Sequence, residues 1–159
     1  MYRKRLNGQG GFSLIELIIV IAVLGILGAI ASYSYMGYVN NSNLRSAARD
    51  MAADMANTKQ KAVSEGLTYR TIISVDANTY TIERGDAAGA AFTVVETKSP
   101  TAFGTGLTIS STNYTSSQIT YRPRGTISAG NVVLINSRDS TATITSNITG
   151  RTHVSFTIK

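Results

Sequence analysis

Gly11-Phe12-Ser13-Leu14-Ile15-Glu16-Leu17 opens an apolar run that continues to Ala31. Arg3, Lys4 and Arg5 stand just before it. From Phe12 to Ala31 the only charged side chain is Glu16, and apart from Ser13 the rest is apolar or glycine. A helix of about 20 such residues, at ~1.5 Å rise per residue, matches the hydrocarbon thickness of a bilayer. A carboxylate inside such a span costs roughly 2.5–3.5 kcal/mol near its centre. The large apolar side chains of the run, at about 0.3–0.6 kcal/mol each, outweigh that cost, so the segment still inserts. An acid retained there needs a partner and points to function.

The remaining composition narrows the possibilities. With 159 residues, the chain has room for one modest domain beyond the apolar run. The net charge of +6 falls to +3 (12 basic minus 9 acidic) once Arg3, Lys4 and Arg5 are set aside. Half of the net positive charge therefore belongs to an N-terminal targeting segment and says little about nucleic acid. There is no cysteine, which excludes disulfides, thiolate metal sites and a cysteine nucleophile. The basic cluster before the span keeps the N-terminus cytoplasmic and sends the C-terminus across the membrane.

The apolar run passes into a longer helix. No proline appears before Pro100; Asn40-Asn41-Ser42-Asn43 is a weak point, and Gly37 nearby is another. From Leu44 the pattern is amphipathic: Leu44, Ala48, Met51, Met55 and Ala62 form a core stripe. Arg49, Asp50, Asp54, Lys59 and Lys61 fall mainly on the other faces, and Asp50 and Asp54 read as exposed helix acids. Gly66 suits the C′ position, and Lys59 and Lys61 complement the dipole near the last turns. The spacing predicts one helix over 12–65. After Gly66 the period becomes two, with a hairpin turning at Asp76-Ala77-Asn78. Further strands are predicted at 92–98, 107–111, 118–122, 131–136, 142–146 and 152–158, with Pro100 and Pro123 at strand ends or turns. The fold class is α+β: a long N-terminal helix, first transmembrane and then amphipathic, packed on an antiparallel β-sheet domain. The expected segments are 1–11 leader, 12–32 membrane or filament-core helix, 33–66 amphipathic helix and 67–159 β-rich domain.

The N-terminal motif after its basic leader resembles that of type IV pilins and type II secretion pseudopilins. The resemblance implies cleavage between Gly11 and Phe12 by a prepilin peptidase, N-methylation of Phe12, and assembly with other pilin or pseudopilin subunits. It also implies that Glu16 meets the N-terminal amine of a neighbouring subunit. Two opposite charges, each costly alone in lipid, stabilise one another and favour a fixed axial register. Two other readings of the segment stand beside it: a secretory signal cleaved after Ala29-Ile30-Ala31, leaving Ser32 first, and an uncleaved anchor. Many relatives carry a proline where this chain has Tyr33, so a gentle bend or none is expected there. The missing cysteines also depart from the disulfide-looped major pilins.

In the C-terminal half, Ile119-Thr120-Tyr121-Arg122-Pro123-Arg124-Gly125, Gly130-Asn131-Val132-Val133-Leu134 and Gly150-Arg151-Thr152-His153-Val154 resemble the GspH/FimT branch of minor pseudopilins and pilins. Gly125 and Gly150 also suit hairpin turns that need positive φ. Gly25 with Ala29, and Gly28 with Ser32, form small-xxx-small pairs for close helix packing. Some FimT-type relatives bind DNA through a basic Gly-Arg-x-Arg tail, and here the second basic position is His153. Arg151, Arg122, Arg124 and His153 are therefore candidate DNA contacts, joined by Arg138 if they cluster, against the plainer reading of solvated turn arginines. One histidine, no cysteine, no phosphate loop and no suitable acid pair point away from an enzyme, a metal site or a cofactor. The expected place is the bacterial inner membrane, with the β-domain periplasmic, and then the pilus or pseudopilus. Partners would be prepilin peptidase, sister subunits, lipid and either secreted cargo or DNA.

Overall fold

The computed structural model describes residues 12–86 and 91–159, the side chains of 31–34 excepted. Helix α1 runs Leu14–Glu65 without interruption, through position 33 and through the Asn40–Asn43 quartet. Eight strands follow: β1 Tyr69–Ser74, β2 Thr79–Gly85, β3 Phe92–Lys98, β4 Thr108–Thr112, β5 Gln118–Tyr121, β6 Gly130–Ile135, β7 Thr141–Ser146 and β8 Thr152–Thr157. Every strand expected from period and punctuation is present. They form two antiparallel sheets, ordered β3-β2-β1-β5 and β4-β6-β7-β8. The chain divides at Met36/Gly37 into two compact units, so the second half of α1 belongs with the strands.

That second half is the centre of the core. Leu44, Ala48, Met51, Met55 and Ala62 are all buried, and Ala47 and Thr58 extend the stripe. The apolar members of the stripe join a single cluster with Tyr69, Ile73, Tyr80, Ile82, Ile119 and Tyr121 from one sheet. Ile109, Val132, Leu134, Ala142 and Ile144 enter the same cluster from the other. Alternation places these side chains inward: β1 buries Tyr69, Thr71 and Ile73, and β7 buries Ala142, Ile144 and Ser146. Buried hydroxyls are matched inside, with Thr71 Oγ1 donating to Tyr121 Oη at 3.2 Å and Tyr114 Oη 2.6 Å from Ser146 Oγ.

Three polar joints explain where the sequence reading falls short. The quartet expected to weaken α1 is tied down: Asn40 Nδ2 donates to Ser137 Oγ at 3.4 Å, and Asn136 Nδ2 donates to Asn41 Oδ1 at 2.9 Å. These bonds to the β6–β7 turn offset the modest helix propensity of asparagine. The turn residue Asn78 links the two sheets. Its Nδ2 donates to Leu107 O at 2.9 Å, and its Oδ1 accepts from Ile109 N at 2.8 Å.

The third joint involves the helix acids. Asp54 is not simply exposed: Lys98 Nζ donates to both its oxygens at 2.9 and 2.8 Å, and Tyr80 Oη donates at 2.7 Å. Lys98 also lies 3.6 Å from Asp50. The Asp54 hydrogen bond holds the Lys98 ammonium above the ordinary lysine range, against partial desolvation. Burial, reinforced by the same carboxylate, pushes the Tyr80 hydroxyl far up. Lys59, expected to complement the end of α1, instead reaches sideways to donate to Thr149 O at 2.9 Å, and the last turn holds no basic residue.

Two outcomes follow from this packing. Met51→Ala, which opens a cavity under both sheets, lowers unfolding free energy by about 2–5 kcal/mol in a denaturant titration of the detergent-solubilised protein. Lys98→Met lowers it by about 1–3 kcal/mol at pH 7. Lys98 and Tyr80 both have raised values in the fold, so their contribution is complete below the ordinary lysine and tyrosine values, at about pH 10. It is lost as pH rises through the folded values. Thermal midpoints should hold from pH 7 to about 9 and fall above about 10, less steeply in Lys98→Met. Identical alkaline curves for parent and variant would show that this joint does not govern the loss.

Candidate functional site

The first functional region is the start of α1. Leu17 N donates to Ser13 O at 3.1 Å, which places Glu16 in the first helical turn. A carboxylate there is favoured by the positive end of the helix dipole. The large apolar side chains from Phe12 to Ile30 are 44–82% exposed in the single chain, Phe12 most of all. Among the described residues, this is one helix long and apolar enough to cross a membrane. A Cβ added at Gly25 or Gly28 would meet no other part of the chain within 4 Å, and Ala29 is likewise exposed. The small-residue positions thus lie on a surface open to a neighbouring helix. Gly11 and the leader 1–11 lie outside the described residues, as do the side chains of Ala31, Ser32 and Tyr33.

The second region lies where two turns of the β-domain meet the C-terminal part of α1. Gly125 at φ +82° and Gly150 at φ +79° adopt the turn conformation expected of them. Arg122 N donates to Thr126 O at 2.9 Å and Gly125 N to Arg122 O at 2.9 Å, closing the first turn. Asn147 closes the second, its backbone accepting from Gly150 N and its Oδ1 from Arg151 N, both at 2.9 Å. Ile127 N donates to Ile148 O at 3.2 Å and ties the two together. Both turns rest on Lys59: its Cε is 3.8 Å from where a Gly125 Cβ would stand, and its ammonium lies against Gly150.

The turns carrying Arg122, Arg124 and Arg151 therefore share one end of the domain with Lys59, and all three arginines are exposed. His153 is exposed on β8, opposite Thr145. Arg138 does not join them. It lies over Gly37, some 22 residues earlier on α1 than Lys59 and about 33 Å of helix away. Lys59 is the residue that sequence reasoning missed here. Its contact to Thr149 spans 90 residues and leaves no local signal. At the same end of α1, Tyr69 Oη at 2.9 Å and Arg84 Nε at 2.7 Å donate to Glu65 Oε2. The tyrosine hydrogen bond, aided by Arg84, holds the Glu65 carboxyl below its usual range.

Comparison with known proteins places these features in a family. Residues 6–32 match the prokaryotic N-terminal methylation motif, and residues 47–150 match the family described as type II transport protein GspH. The fold is similar to that of the minor pseudopilin EpsH from the type 2 secretion system of Vibrio cholerae. The TM-score is 0.60 at 12% identity, covering 71% of this chain and 96% of that one. It is also similar to the type IV minor pilin FimU of Pseudomonas aeruginosa, with a TM-score of 0.56 at 16% identity, covering 74% of this chain and 92% of that one. No curated protein matches the chain. An apolar, motif-bearing helix leading into an α+β domain, matched over most of that domain, identifies the chain as a member of the type II transport protein GspH family, with a prokaryotic N-terminal methylation motif.

Proposed function

We propose that the chain is a structural minor pilin or pseudopilin subunit, anchored in the inner membrane with its β-domain periplasmic and then assembled into a short filament. The observation that carries this reading is the uncovered apolar half of α1, with its large side chains 44–82% exposed, attached to a folded domain of the GspH family. Such a surface needs cover, and lipid before assembly and like helices afterwards both supply it. Gly25, Gly28 and Ala29 would let a neighbouring backbone approach closely. Prepilin peptidase would cleave between Gly11 and Phe12, and N-methylated Phe12 would present the cation that Glu16 of a neighbouring subunit meets. That pairing neutralises two charges that are each costly in an apolar filament core. The chain has no catalytic part in this reading.

A second reading rests on the two glycine turns that converge on Lys59. They bring Arg122, Arg124 and Arg151 to one end of the domain, a surface suited to phosphate contacts without base readout. It makes the subunit a DNA-binding minor pilin of an uptake machinery.

Mass spectrometry of the mature protein should find an N-terminus at methylated Phe12; a chain beginning at Ser32 would sink the structural reading. Glu16→Gln should be processed and retained in the membrane at parental levels, yet enter filaments at least roughly tenfold less, the scale of a lost pairing worth ~1.4 kcal/mol. Normal entry would remove the role given to Glu16. For the second reading, gel shifts over a salt series should show affinity falling steeply with salt, and a shallower slope when Arg151 becomes alanine. Affinity indifferent to both would leave only the structural role.

A further inference from the structure

Each sheet has two outer strands, and among these β8 alone offers a long regular edge. β3 and β4 are broken by register shifts, and β5 has only 4 residues. β8 pairs with β7 in unbroken register, from Thr141↔Thr157 to Ser146↔Thr152. Its residues Thr152–Thr157 include no proline, lysine, arginine or acid, the residue types that usually blunt an edge. Among the described residues, no backbone hydrogen bond other than those to β7 reaches Thr152–Thr157. The outward donors and acceptors of β8 are therefore open to another strand. The side chains agree: Val154 and Phe156 are only half-buried, whereas their β7 partners Ile144 and Ala142 are fully buried.

Helix α1 runs alongside this edge in the opposite direction. The Arg45 guanidinium stands 5.7 Å from the centre of the Phe156 ring, and Lys59 Nζ donates to Thr149 O, shortly before β8 begins. Arg49, Ala52 and Ala56 lie between them on the helix, and Ala52 is half-buried against the same core as Val154 and Phe156. Arg45 and Arg49 are exposed, and among the described residues neither forms an ion pair.

We infer that β8 accepts an extended acidic segment of another polypeptide as a fifth strand, with Arg45 and Arg49 pairing with carboxylates on its inward face. The spacing fits. Residues four apart on a helix stand about 6 Å apart along its axis, and alternate residues of a strand about 6.7 Å. Two carboxylates separated by one residue thus match the two guanidiniums. Backbone pairing with β8 supplies affinity, and the charged contacts select the sequence. A second copy of β8 does not fit, because antiparallel pairing about a two-fold axis would turn Arg45 and Arg49 of both copies toward one another with no acid between them. Nucleic acid would satisfy the guanidiniums but leave the strand edge unpaired. Every residue involved lies within Gly37–Lys159, so the surface does not depend on residues 12–36.

The probe is a fluorescein-labelled peptide, Thr-Val-Glu-Val-Glu-Val-Thr, added to the full chain in detergent and followed by fluorescence anisotropy. It should bind at least about tenfold more tightly than the same peptide with lysine in place of glutamate. Arg45→Gln/Arg49→Gln should weaken it roughly five- to tenfold, with far-UV circular dichroism and thermal midpoint at parental values. N-methylation of one alternate set of peptide amides should abolish binding while the other set leaves it, since only one set faces β8; this arm needs no change to the protein. Equal effects of the two methylated sets, equal binding of the glutamate and lysine peptides, or no binding at about 1 mM peptide overturns the inference. A single-stranded oligonucleotide that binds more tightly than the peptide, with the same loss in Arg45→Gln/Arg49→Gln, would give the two arginines to nucleic acid and likewise overturn it.

Discussion

The structure depends on burial of one face of α1 between Leu44 and Ala62. That face supplies Leu44, Ala47, Ala48, Met51, Met55 and Ala62 to a core to which both sheets also contribute. Each sheet alone has one apolar face and too few strands to enclose it, so the helix completes both. Its small residues let strands approach, and its two methionines fill the irregular space between sheets. The rest of the domain is arranged to hold this contact. The Asp54–Lys98–Tyr80 group fastens the helix to one sheet, and the Asn40 and Asn41 bonds fasten it to the other.

The same helix has two solvents. The large apolar side chains from Phe12 to Ile30 are exposed, whereas Leu44, Ala47, Ala48, Met51, Met55 and Ala62 bury theirs in the chain's own core. A continuous hydrogen-bonded helix satisfies its backbone in either setting. The apolar half thus needs no fold of its own; it needs only something apolar around it.

Much of this was legible in the sequence, and the reasons are physical. Period two after Gly66 and the Gly, Asn and Ser punctuation further on marked the strands, and the spacing of Leu44, Ala48, Met51, Met55 and Ala62 marked the buried face, because these signals are local. The division into two sheets was not legible: β4 lies between β3 and β5 in the chain but pairs with β6, a choice made by long-range packing. Asp54 resembled a solvated helix acid because Tyr80 and Lys98 stand 26 and 44 residues away. The asparagine quartet resembled a break for the same reason, its partners lying 95 and 97 residues on. At the candidate site, Phe12 and Glu16 stood out by motif and by the cost of an acid in lipid. The convergence of Arg122, Arg124 and Arg151 on Lys59 required the turns to be placed in space, which also separated Arg138 from them.

Strand β3 carries a consequence of another kind. It is one of the two outer strands of its sheet, and opposite the step between Ile82 and Glu83 of β2 it accommodates an extra residue, Val95. Val94 and Val95, neighbours on the pleat, are 57% and 48% exposed. A regular edge with two exposed valines would invite the same edge of another copy to pair with it. The bulge breaks the ladder in the middle of β3 and increases its local twist, so no long flat register is on offer. The irregular edge therefore disfavours side-by-side sheet growth between copies of the chain.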